Sequence, residues 1–464
     1  MGETQPGAVV EVNPVAQELG ERFRDAGHEL YLVGGAVRDA ILHRASADDD
    51  LDLATGAPPQ ETIRLLRAAG VDQLYLMGVK YGTIGSRKGG RLLEITTFRE
   101  EVYRDENRKP VVTFASDIRT DLSRRDFTIN AMAVRLPDGA FEDPFGGLKD
   151  LAAKRIDTPL EPEVAFTEDP LRMVRAARFA ATLEMTPTPR VIEAIGRMRE
   201  RLSIVSAERI RDELDKLLLA GKPSLGLELV VETGLAEEFL PELLALRLEQ
   251  DPVHKHKDVL RHTYAVVENT EPDLALRLAA LMHDFGKPKT RSITPEGVQF
   301  HSHDVVGARI AEERLRALRY PTEIVHAVRD LVWMHMRFHT YGMGWTDGAV
   351  RRYVRDAGPL LDRLNQLTRA DCTTRNPQRA ASLRALQNEL EERIAHLAEE
   401  ENLQALRPAL DGNEVMEHLG LEPGREIGEA LQHLMELRLE RGPMEKEEAY
   451  RELDAWAAEH RVTG

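Results

Sequence analysis

Two aspartates with one residue between them, and a pair of glycines upstream, are the first candidates for chemistry. Asp50 and Asp52 lie in a short apolar segment. Side chains alternate along a strand, so a strand here would place both carboxylates on one face. Gly34 and Gly35 follow the apolar run Tyr31–Val33 and precede a predicted helix, and backbone N–H groups at such a turn can approach an anion. The pattern indicates a hard divalent cation such as Mg²⁺ beside substrate phosphates.

Longer strings around these residues resemble a known family. Residues 32–39 read Leu-Val-Gly-Gly-Ala-Val-Arg-Asp, and residues 50–55 read Asp-Leu-Asp-Leu-Ala-Thr. This wording is similar to the bacterial tRNA nucleotidyltransferase (CCA-adding) and poly(A) polymerase family, within the superfamily that includes DNA polymerase β. The resemblance implies two Mg²⁺ ions on Asp50 and Asp52, and Arg38 beside the triphosphate. It also implies a third carboxylate from a neighbouring strand, for which Glu94 is the candidate.

A second motif covers residues 121–133 and reads Asp-Leu-Ser-Arg-Arg-Asp-Phe-Thr-Ile-Asn-Ala-Met-Ala. From the residues alone, Asp126 caps a helix with a buried apolar face. The same string is typical of the resembled family, where it implies Arg125, Asp126 and Asn130 near the triphosphate and the ribose.

A third motif contains Asp169 and Arg172, three residues apart at the start of a predicted helix and so on one face. Arg offers only hydrogen-bond donors and a carboxylate only acceptors, so the pair can match the amine and ring nitrogen that cytosine and adenine both present. Guanine and uracil present the reverse order and would be rejected. Residues 168–179 read Glu-Asp-Pro-Leu-Arg-Met-Val-Arg-Ala-Ala-Arg-Phe and resemble the family's nucleotide-selection helix. The resemblance adds Arg175 and Arg178 as scaffold or RNA contacts. Ala207–Leu219 resembles the next helix, which stabilises this neck.

The polar segment Arg99–Ile118 is predicted to be a surface loop. In the resembled family a flexible loop at this place takes part in switching from C to A addition, and it is shortened in members that add only CC. Here the segment has full length and retains Arg99, Tyr103 and Arg108-Lys109-Pro110. The length disfavours an enzyme that adds only CC.

Histidines and aspartates in the C-terminal half form a second candidate site. They occur in the order His262, His283-Asp284, His301, His303, His335, His339 and Asp371. This order, with an apolar run before the His-Asp pair and Phe-Gly-Lys after it, resembles the HD phosphohydrolase family. The resemblance implies a metal site on His262, His283, Asp284, His303, His335 and Asp371, with His301 and His339 outside the set.

Such ligands suit a divalent transition metal, which would lower the pKa of a bound water for attack on a phosphoester. If the site is active, the resemblance implies removal of a 2′,3′-cyclic phosphate or a 3′-phosphate from damaged tRNA ends. A metal site with only a structural role is the alternative.

Composition narrows the class of protein. The chain has 464 residues, a formal net charge of −17 and one cysteine, so a disulfide framework is excluded and a generic nucleic-acid coat is disfavoured. RNA binding would need local basic faces, and Leu171–Lys216 holds ten Lys/Arg against seven Asp/Glu. No membrane-length apolar run or signal-peptide pattern is present, and the first twelve residues are predicted to be disordered. We expect a soluble, cytoplasmic protein.

The expected fold class is α+β. A polymerase-β-like nucleotidyltransferase palm with a mixed sheet occupies residues 1–150. It is followed by a helical neck (151–220), a helical body with the HD domain (221–380) and a helical tail that contacts tRNA (381–464). Helices are predicted from Asn13-Pro14 onward and over Ala380–Glu400.

The predicted function is template-independent addition of CCA, or of the terminal A, to tRNA 3′ ends from CTP and ATP. Within the same class, an A-only enzyme and a poly(A) polymerase are alternatives, although the acidic C-terminus disfavours the latter. From other classes come an HD phosphohydrolase whose palm only binds nucleotide, and a non-enzymatic RNA-binding module. No membrane partner is expected, and the oligomeric state stays open.

Overall fold

The computed structural model describes residues 12–44, 50–102, 111–115, 117–248, 258–295, 297–373, 376–401 and 407–460. The chain separates into two units, Met1–Phe239 and Leu240–Gly464. The four-part division predicted above stays a prediction.

The first unit combines strands and helices. Its strands are β1 (Leu30–Val33), β2 (Leu51–Thr55), β3 (Gln73–Tyr75), β4 (Thr83–Lys88), β5 (Arg91–Thr97), β6 (Arg99–Val102), β7 (Val111–Phe114), β8 (Ala133–Leu136), β9 (Phe141–Glu142), β10 (Arg155–Ile156) and β11 (Thr186–Pro187). Its helices are α1 (Pro14–Asp25), α2 (Gly35–Ile41), α3 (Pro59–Ala68), α4 (Ile118–Ser123), α5 (Gly147–Ala152), α6 (Pro162–Glu168), α7 (Leu171–Leu183), α8 (Pro189–Met198), α9 (Ala207–Leu218), α10 (Pro223–Glu232) and α11 (Ala236–Phe239).

A seven-stranded mixed sheet forms the core of the N-terminal part, in the order β3-β4-β5-β2-β1-β8-β9. The pair β2–β5 is parallel, and its register sets Asp52 opposite Glu94. Ala54 shares a strand face with Asp52, because side chains alternate. Ala54 lies in a buried cluster with Tyr31 and Phe98, whereas Asp52 is exposed at the open end of the same face. The palm expected from the sequence is therefore present.

Several predicted elements are confirmed. Helix α1 begins after Asn13, whose side chain accepts a hydrogen bond from the Val15 N–H at 2.8 Å, so the predicted cap is formed. The predicted strand containing Glu94 is β5, in which Leu93 and Ile95 are buried and Glu94 is exposed. The expectation of disorder for the first twelve residues lies, except for Val12, outside the described residues.

The prediction of a surface loop over Arg99–Ile118 is wrong for the described part of that segment. Strands β6 and β7 form an antiparallel hairpin, and α4 starts at Ile118. Val111-Val112-Thr113-Phe114 has high strand propensity, a signal that the charged residues before it obscured. The retained residues Tyr103 and Arg108-Lys109-Pro110 lie outside the described residues.

Helices fill the rest of the first unit and surround α7. This helix packs against α9 and α10 and buries most of its apolar side chains, including Met173, Val174 and Phe179. Pro170 separates α6 from α7 because the residue before a proline is driven away from helical backbone. The predicted helix Ala207–Leu219 is confirmed as α9.

In its described residues, the second unit is helical apart from one hairpin. Its helices are α12 (Pro241–Ala245), α13 (Val259–Asn269), α14 (Leu274–Met282), α15 (Lys287–Thr290), α16 (His303–Ala317), α17 (Thr322–Met334), α18 (Asp347–Ala357), α19 (Leu361–Asp371), α20 (Pro377–Glu401), α21 (Gly412–Leu419), α22 (Arg425–Arg441) and α23 (Lys446–His460). Strands β12 (Arg291–Thr294) and β13 (Gly297–Phe300) form the hairpin.

Helix α14 is the centre of this unit. Every residue from Ala275 to Met282 is buried, and α13, α16, α17 and α19 pack around the helix. The predicted charged helix Ala380–Glu400 is confirmed as α20. Helices α21 to α23 enclose a separate apolar cluster that includes Leu434, Leu453 and Trp456. In the described part of the chain, every helix is too short or too polar to cross a membrane.

Candidate functional site

Three carboxylates meet at the open end of the palm sheet. Asp50 directly precedes β2, Asp52 lies within it, and Glu94 is its register partner on the parallel strand β5. Desolvation raises the pKa of Asp52, the charge of Arg125 opposes the rise, and the charge of Asp50 adds to it. Desolvation raises the pKa of Glu94, and the charges of Asp52 and Asp50 raise it further, whereas the charge of Arg99 lowers it. A divalent cation would relieve this repulsion, so the donor set fits Mg²⁺.

The glycine turn faces the same place. Gly34 has φ +72°, a conformation that favours glycine, and it directly precedes α2. A Cβ added to Gly34 would lie 2.9 Å from Arg125 Nη1 and 3.8 Å from Asp52 Oδ2. The Gly34 bend, the Asp52 carboxylate and the Arg125 guanidinium therefore surround the same space. A side chain on Gly34 would fill it.

Among the described residues, Arg125 is held at one end only. Its Nη2 donates to Asp121 Oδ2 at 3.2 Å, and Asp121 is fully buried. Its Nε is buried and has no hydrogen-bond partner among the described residues. A buried unpaired donor is costly unless a ligand accepts from it, so Arg125 is suited to an anionic group such as a phosphate.

Arg38 is positioned by two neighbours. It donates through Nε and Nη2 to both oxygens of Asp39, at 2.8 and 2.7 Å, and through Nη1 to Asn130 Oδ1 at 2.6 Å. The Arg38 side chain is only 11% exposed. Asp39 was not among the predicted site residues, although an acid next to an arginine at a candidate phosphate turn can be recognised from the sequence.

The second motif adopts a tighter shape than predicted. Thr128–Asn130 is a single 3-10 turn, so the expectation that Asp126 caps a helix is wrong. The Asp126 carboxylate instead accepts from the Phe127 N–H at 2.8 Å and from Asn130 Nδ2 at 2.9 Å. Arg175 Nε donates to the other Asp126 oxygen at 2.9 Å. Burial would raise the pKa of Asp126, but Arg175, Asn130 and Arg172 outweigh it and hold that pKa below its usual value.

The third motif departs from the predicted geometry. Asp169 has extended backbone at φ −141° between α6 and α7, so it does not share a helical face with Arg172 as predicted. Pro170 is the cause, because it excludes helical backbone at the residue before it. Asp169 Oδ2 accepts from Arg209 Nη2 at 2.8 Å, and Arg172 Nη1 donates to Glu168 at 3.0 Å. The two side chains thus have separate partners.

Arg175 and Arg178 belong to a buried ion network. Glu213 on α9 is 4% exposed and lies 3.6 Å from Arg175 and 2.5 Å from Arg178. Arg175 also bridges to Asp126, so the network joins α9, α7 and the second motif. The sequence singled out Glu213 only as a member of a stabilising helix, because nothing local predicts its two partners.

The histidines and aspartates of the second unit converge. Two triplets have ligand atoms within 4.8 Å of one another, and both contain Asp284. The triplets are His262, His283 and Asp284, and Asp284, His303 and His335. Asp284 Oδ2 lies 3.3 Å from His283 Nε2, whereas Oδ1 lies 3.6 Å from His303 Nε2. The two carboxylate oxygens thus face different histidines.

Asp371 closes the cluster from α19. Its Oδ1 lies 2.8 Å from His262 Nε2 and 3.7 Å from His283 Nε2. His339 reaches the other Asp371 oxygen at 3.4 Å from an exposed position. His301 is exposed, contacts the Gln299 side chain and lies outside the triplets. The structure thus brings together all six residues of the predicted set.

The imidazole rings are oriented for metal binding. His283, His303 and His335 direct Nδ1 at backbone carbonyl oxygens, at 2.8, 3.0 and 2.5 Å, and His262 Nδ1 contacts the Thr373 hydroxyl at 2.8 Å. An Nδ1–H that donates to a carbonyl leaves the Nε2 lone pair for a cation. Each Nε2 faces the cluster.

Burial keeps most of these imidazoles neutral. It lowers the pKa of His262 and His303, and it lowers that of His335 to about 3. For His283, burial is outweighed by the charge and hydrogen bond of Asp284, which raise its pKa. A neutral imidazole is the form that binds a metal, so the cluster fits a divalent transition ion.

A cavity of about 1310 Å³ opens onto this cluster. Cationic side chains line it together with members of the His/Asp cluster: Arg261, Lys287, Arg369, Arg379 and Arg384. Lys287 donates to Asp284 at 2.7 Å. Lys287 was not among the predicted site residues, although it directly follows the Phe-Gly after the His-Asp pair. The cavity suits an anionic substrate.

Comparison with known proteins identifies three matching regions. Three family models match, described as Poly A polymerase head domain over residues 30–157, probable RNA and SrmB-binding site of polymerase A over residues 184–246, and HD domain over residues 258–400.

Relatives match over nearly the whole chain. A CC-adding tRNA nucleotidyltransferase from Thermus thermophilus is 34% identical over 442 residues, 92% of this chain and 94% of that protein. An A-adding tRNA nucleotidyltransferase from Deinococcus radiodurans is 34% identical over 444 residues, 92% of this chain and 95% of that protein. The solved Bacillus stearothermophilus CCA-adding enzyme in complex with CTP superposes with a TM-score of 0.71 at 25% identity, over 97% of this chain and 99% of that chain.

Proposed function

Because the chain belongs to the bacterial CCA-adding tRNA nucleotidyltransferase family, we propose that it extends tRNA 3′ ends from CTP and ATP, adding CCA or the terminal A without a nucleic-acid template. The chain is a nucleotidyltransferase with RNA-binding and HD domains. One observation carries the proposal: the Gly34 bend, the Asp52 carboxylate and the Arg125 guanidinium border one position beside Glu94.

The palm residues have distinct roles in this proposal. Asp50, Asp52 and Glu94 would hold Mg²⁺, which supplies charge neutralisation and lowers the pKa of the tRNA 3′-hydroxyl. Arg125, with its unpaired Nε, and Arg38 would bind the triphosphate. In the reaction, the 3′-oxygen bonds to the α-phosphorus, the bond to the β-phosphate breaks, the hydroxyl proton leaves to solvent, and pyrophosphate departs.

Asp169 and Arg172 remain the proposed readers of the base. Asp169 uses one oxygen for Arg209 and the other for the Leu171 N–H, at 2.8 and 3.2 Å. Arg172 is only 11% exposed. Each carboxylate oxygen can accept a further hydrogen bond, so a bound base would add to these contacts.

The proposed product is CCA or a terminal A. The full-length segment after β5 supports A addition, as argued from the sequence. Two relatives with the same 34% identity have CC-adding and A-adding activity, so overall identity does not discriminate between them. An assay must therefore decide.

The first test offers the enzyme one tRNA that ends at the discriminator base and another that ends in CC, each with CTP and ATP. CCA addition lengthens the first by three residues and the second by one, whereas A-only addition extends only the second. Asp52→Asn should lower either rate at least about a hundredfold. Asp25→Asn, an exposed acid on α1, is the control. Failure to extend either tRNA, or full activity of Asp52→Asn, contradicts the proposal.

We also propose that the HD cluster hydrolyses a 2′,3′-cyclic phosphate or a 3′-phosphate at damaged tRNA ends. For the cyclic ester, a water oxygen bonds to phosphorus, one ring P–O bond breaks, and the released sugar oxygen takes the proton. His262, His283, Asp284, His303, His335 and Asp371 would hold a divalent ion that supplies the acidified water. Neutral imidazoles and a cationic cavity support this activity.

The test of this second activity uses Asp284→Asn. We expect loss of cyclic-phosphate hydrolysis, with tRNA extension retained. In the wild type, Co²⁺ or Ni²⁺ should raise the melting temperature, because a ligand that binds only the folded state stabilises it, and the shift should vanish in Asp284→Asn. Asp330→Asn, a partly exposed acid on α17, is the control. Metal stabilisation without any hydrolysis would indicate a structural metal site instead.

A further inference from the structure

Helix α20 contributes a basic strip to the wall of the HD cavity. Its lining residues are Arg379, Ala380, Leu383 and Arg384. This spacing of one, four and five residues from Arg379 corresponds to a single face of a helix. We call Arg379 and Arg384 the α20 arginines. They lie on a different element from any residue of the proposed metal site.

The α20 arginines differ from two other cations of the cavity, Lys287 and Arg369, in having no partner among the described residues. Lys287 donates to Asp284 at 2.7 Å, and Arg369 is paired with Glu391 at 2.7 Å. Both α20 arginines are exposed, and neither guanidinium has an ion pair or hydrogen bond to a described residue. Guanidinium groups left free at the mouth of a cavity are suited to bind phosphate oxygens in bidentate fashion.

The cavity is larger than one nucleotide requires. Pockets for small molecules typically occupy about 300–1,000 Å³, and this cavity measures about 1310 Å³. Its wall also contains apolar side chains that could contact a base or a ribose: Ala265, Phe300, Met336 and Leu383. The space, the apolar wall and the free guanidiniums are therefore consistent with a chain of nucleotides.

We propose that the α20 arginines form a second phosphate subsite, which binds the phosphodiester one nucleotide before the terminal phosphate. The HD cavity then takes an RNA chain end rather than a free mononucleotide. This inference rests on the proposed hydrolytic function of the metal cluster, and it names the substrate class of that function. Lys287 and the cluster serve the terminal phosphate, and α20 serves the next one.

The experiment compares two substrates in the full-length protein with Co²⁺ or Ni²⁺ present. One is a tetraribonucleotide that ends in a 2′,3′-cyclic phosphate, and the other is 2′,3′-cyclic CMP. The double variant Arg379→Gln/Arg384→Gln should raise KM for the tetranucleotide about tenfold, because two charge-assisted contacts are lost. The double variant should keep kcat for the tetranucleotide within about twofold of the wild-type value. It should also keep kcat and KM for cyclic CMP within about twofold, because substitutions of exposed side chains that do not contact the substrate have little effect.

The matched control is Arg309→Gln. Arg309 is a 70% exposed arginine on α16 that does not line the cavity. Its KM for the tetranucleotide should equal that of the wild type. An unchanged KM in the double variant, or an equal loss for both substrates, overturns the second subsite.

A binding measurement separates this inference from the activity on which it rests. If the wild type hydrolyses neither substrate, the proposed hydrolysis of a cyclic phosphate fails. The subsite is then tested by fluorescence anisotropy with a labelled tetranucleotide ending in a 3′-phosphate, which the palm cannot extend. The double variant should bind about tenfold more weakly than Arg309→Gln. Equal Kd values would overturn the subsite.

Discussion

At the scale of single residues, carboxylates of the first unit have pKa values shifted in opposite directions. Asp52 and Glu94 have raised pKa values, since each carboxylate lies near another and loses hydration. Asp126 has a lowered pKa, because Arg175 and Asn130 stabilise its charged form. Asp52 and Glu94 would therefore be stabilised by a bound cation, whereas Asp126 is already paired with the Arg175 guanidinium.

Asp126 makes the folded state sensitive to acid. A carboxyl whose pKa is lower in the folded than in the unfolded state contributes stability that is complete above the unfolded pKa, near 4, and is lost as pH falls through the folded pKa. Asp126→Asn should lower the free energy of unfolding at pH 7 by roughly 3 kcal/mol, because it removes one of the two buried carboxylates that pair with Arg175.

Urea unfolding of the wild type and Asp126→Asn at a series of pH values measures this effect. The difference between them should shrink once the pH falls below about 4. Asp25→Asn, with a 71% exposed side chain, should show almost no difference at any pH. A difference that does not change with pH would contradict the assignment of the effect to this charge.

At the scale of elements, helix α7 links the second motif to α9. Pro170 ends the preceding helix and fixes where α7 starts, and Glu213 on α9 holds Arg175 and Arg178 on α7. Arg175 in turn holds Asp126. A change on α9 should therefore be transmitted to the second motif.

Replacement of Glu213 tests this link between helices. Glu213→Gln removes the carboxylate that pairs with Arg178 and one of the two carboxylates that pair with Arg175, so it should destabilise the first unit by about 3 kcal/mol. It should also raise KM for CTP and ATP, because Arg175 loses one of its two anchors. Glu208→Gln, an exposed acid on the same helix, should do neither. Wild-type stability and KM values in Glu213→Gln would show that the network does not position α7.

At the scale of the whole molecule, the net charge of −17 opposes binding to RNA unless basic groups act locally. We expect KM for tRNA to rise steeply with salt, since each phosphate contact contributes about 0.7–0.9 to the slope of log K against log salt. The salt dependence of KM for tRNA can be measured by enzyme kinetics between about 50 and 200 mM KCl, where the affinity of nucleic-acid binding changes strongly. KM for CTP serves as the reference. Equal salt dependence of the two constants would argue against a basic tRNA-binding face.

Local sequence determined the parts of this protein that depend on neighbouring residues. The alternation of side chains along the strand placed Asp50 and Asp52 on the opposite face from Leu51 and Leu53. The Asn13-Pro14 pair marked the start of α1, and Gly34 supplied a backbone conformation that other residues avoid. These signals act over a few residues, so they can be recognised without knowing the partner. The family resemblance added the order of motifs.

Tertiary structure decided what lies between distant segments. The register that sets Glu94 beside Asp52, the two contacts of Glu213, and the sharing of Asp284 between two triplets all join residues far apart in sequence. It also separated Asp169 from the helical face of Arg172. Strand register and helix packing depend on burial of whole faces, which no short stretch encodes. The sequence thus identified most of the candidate site residues, and only tertiary packing determined which of their side chains contact one another.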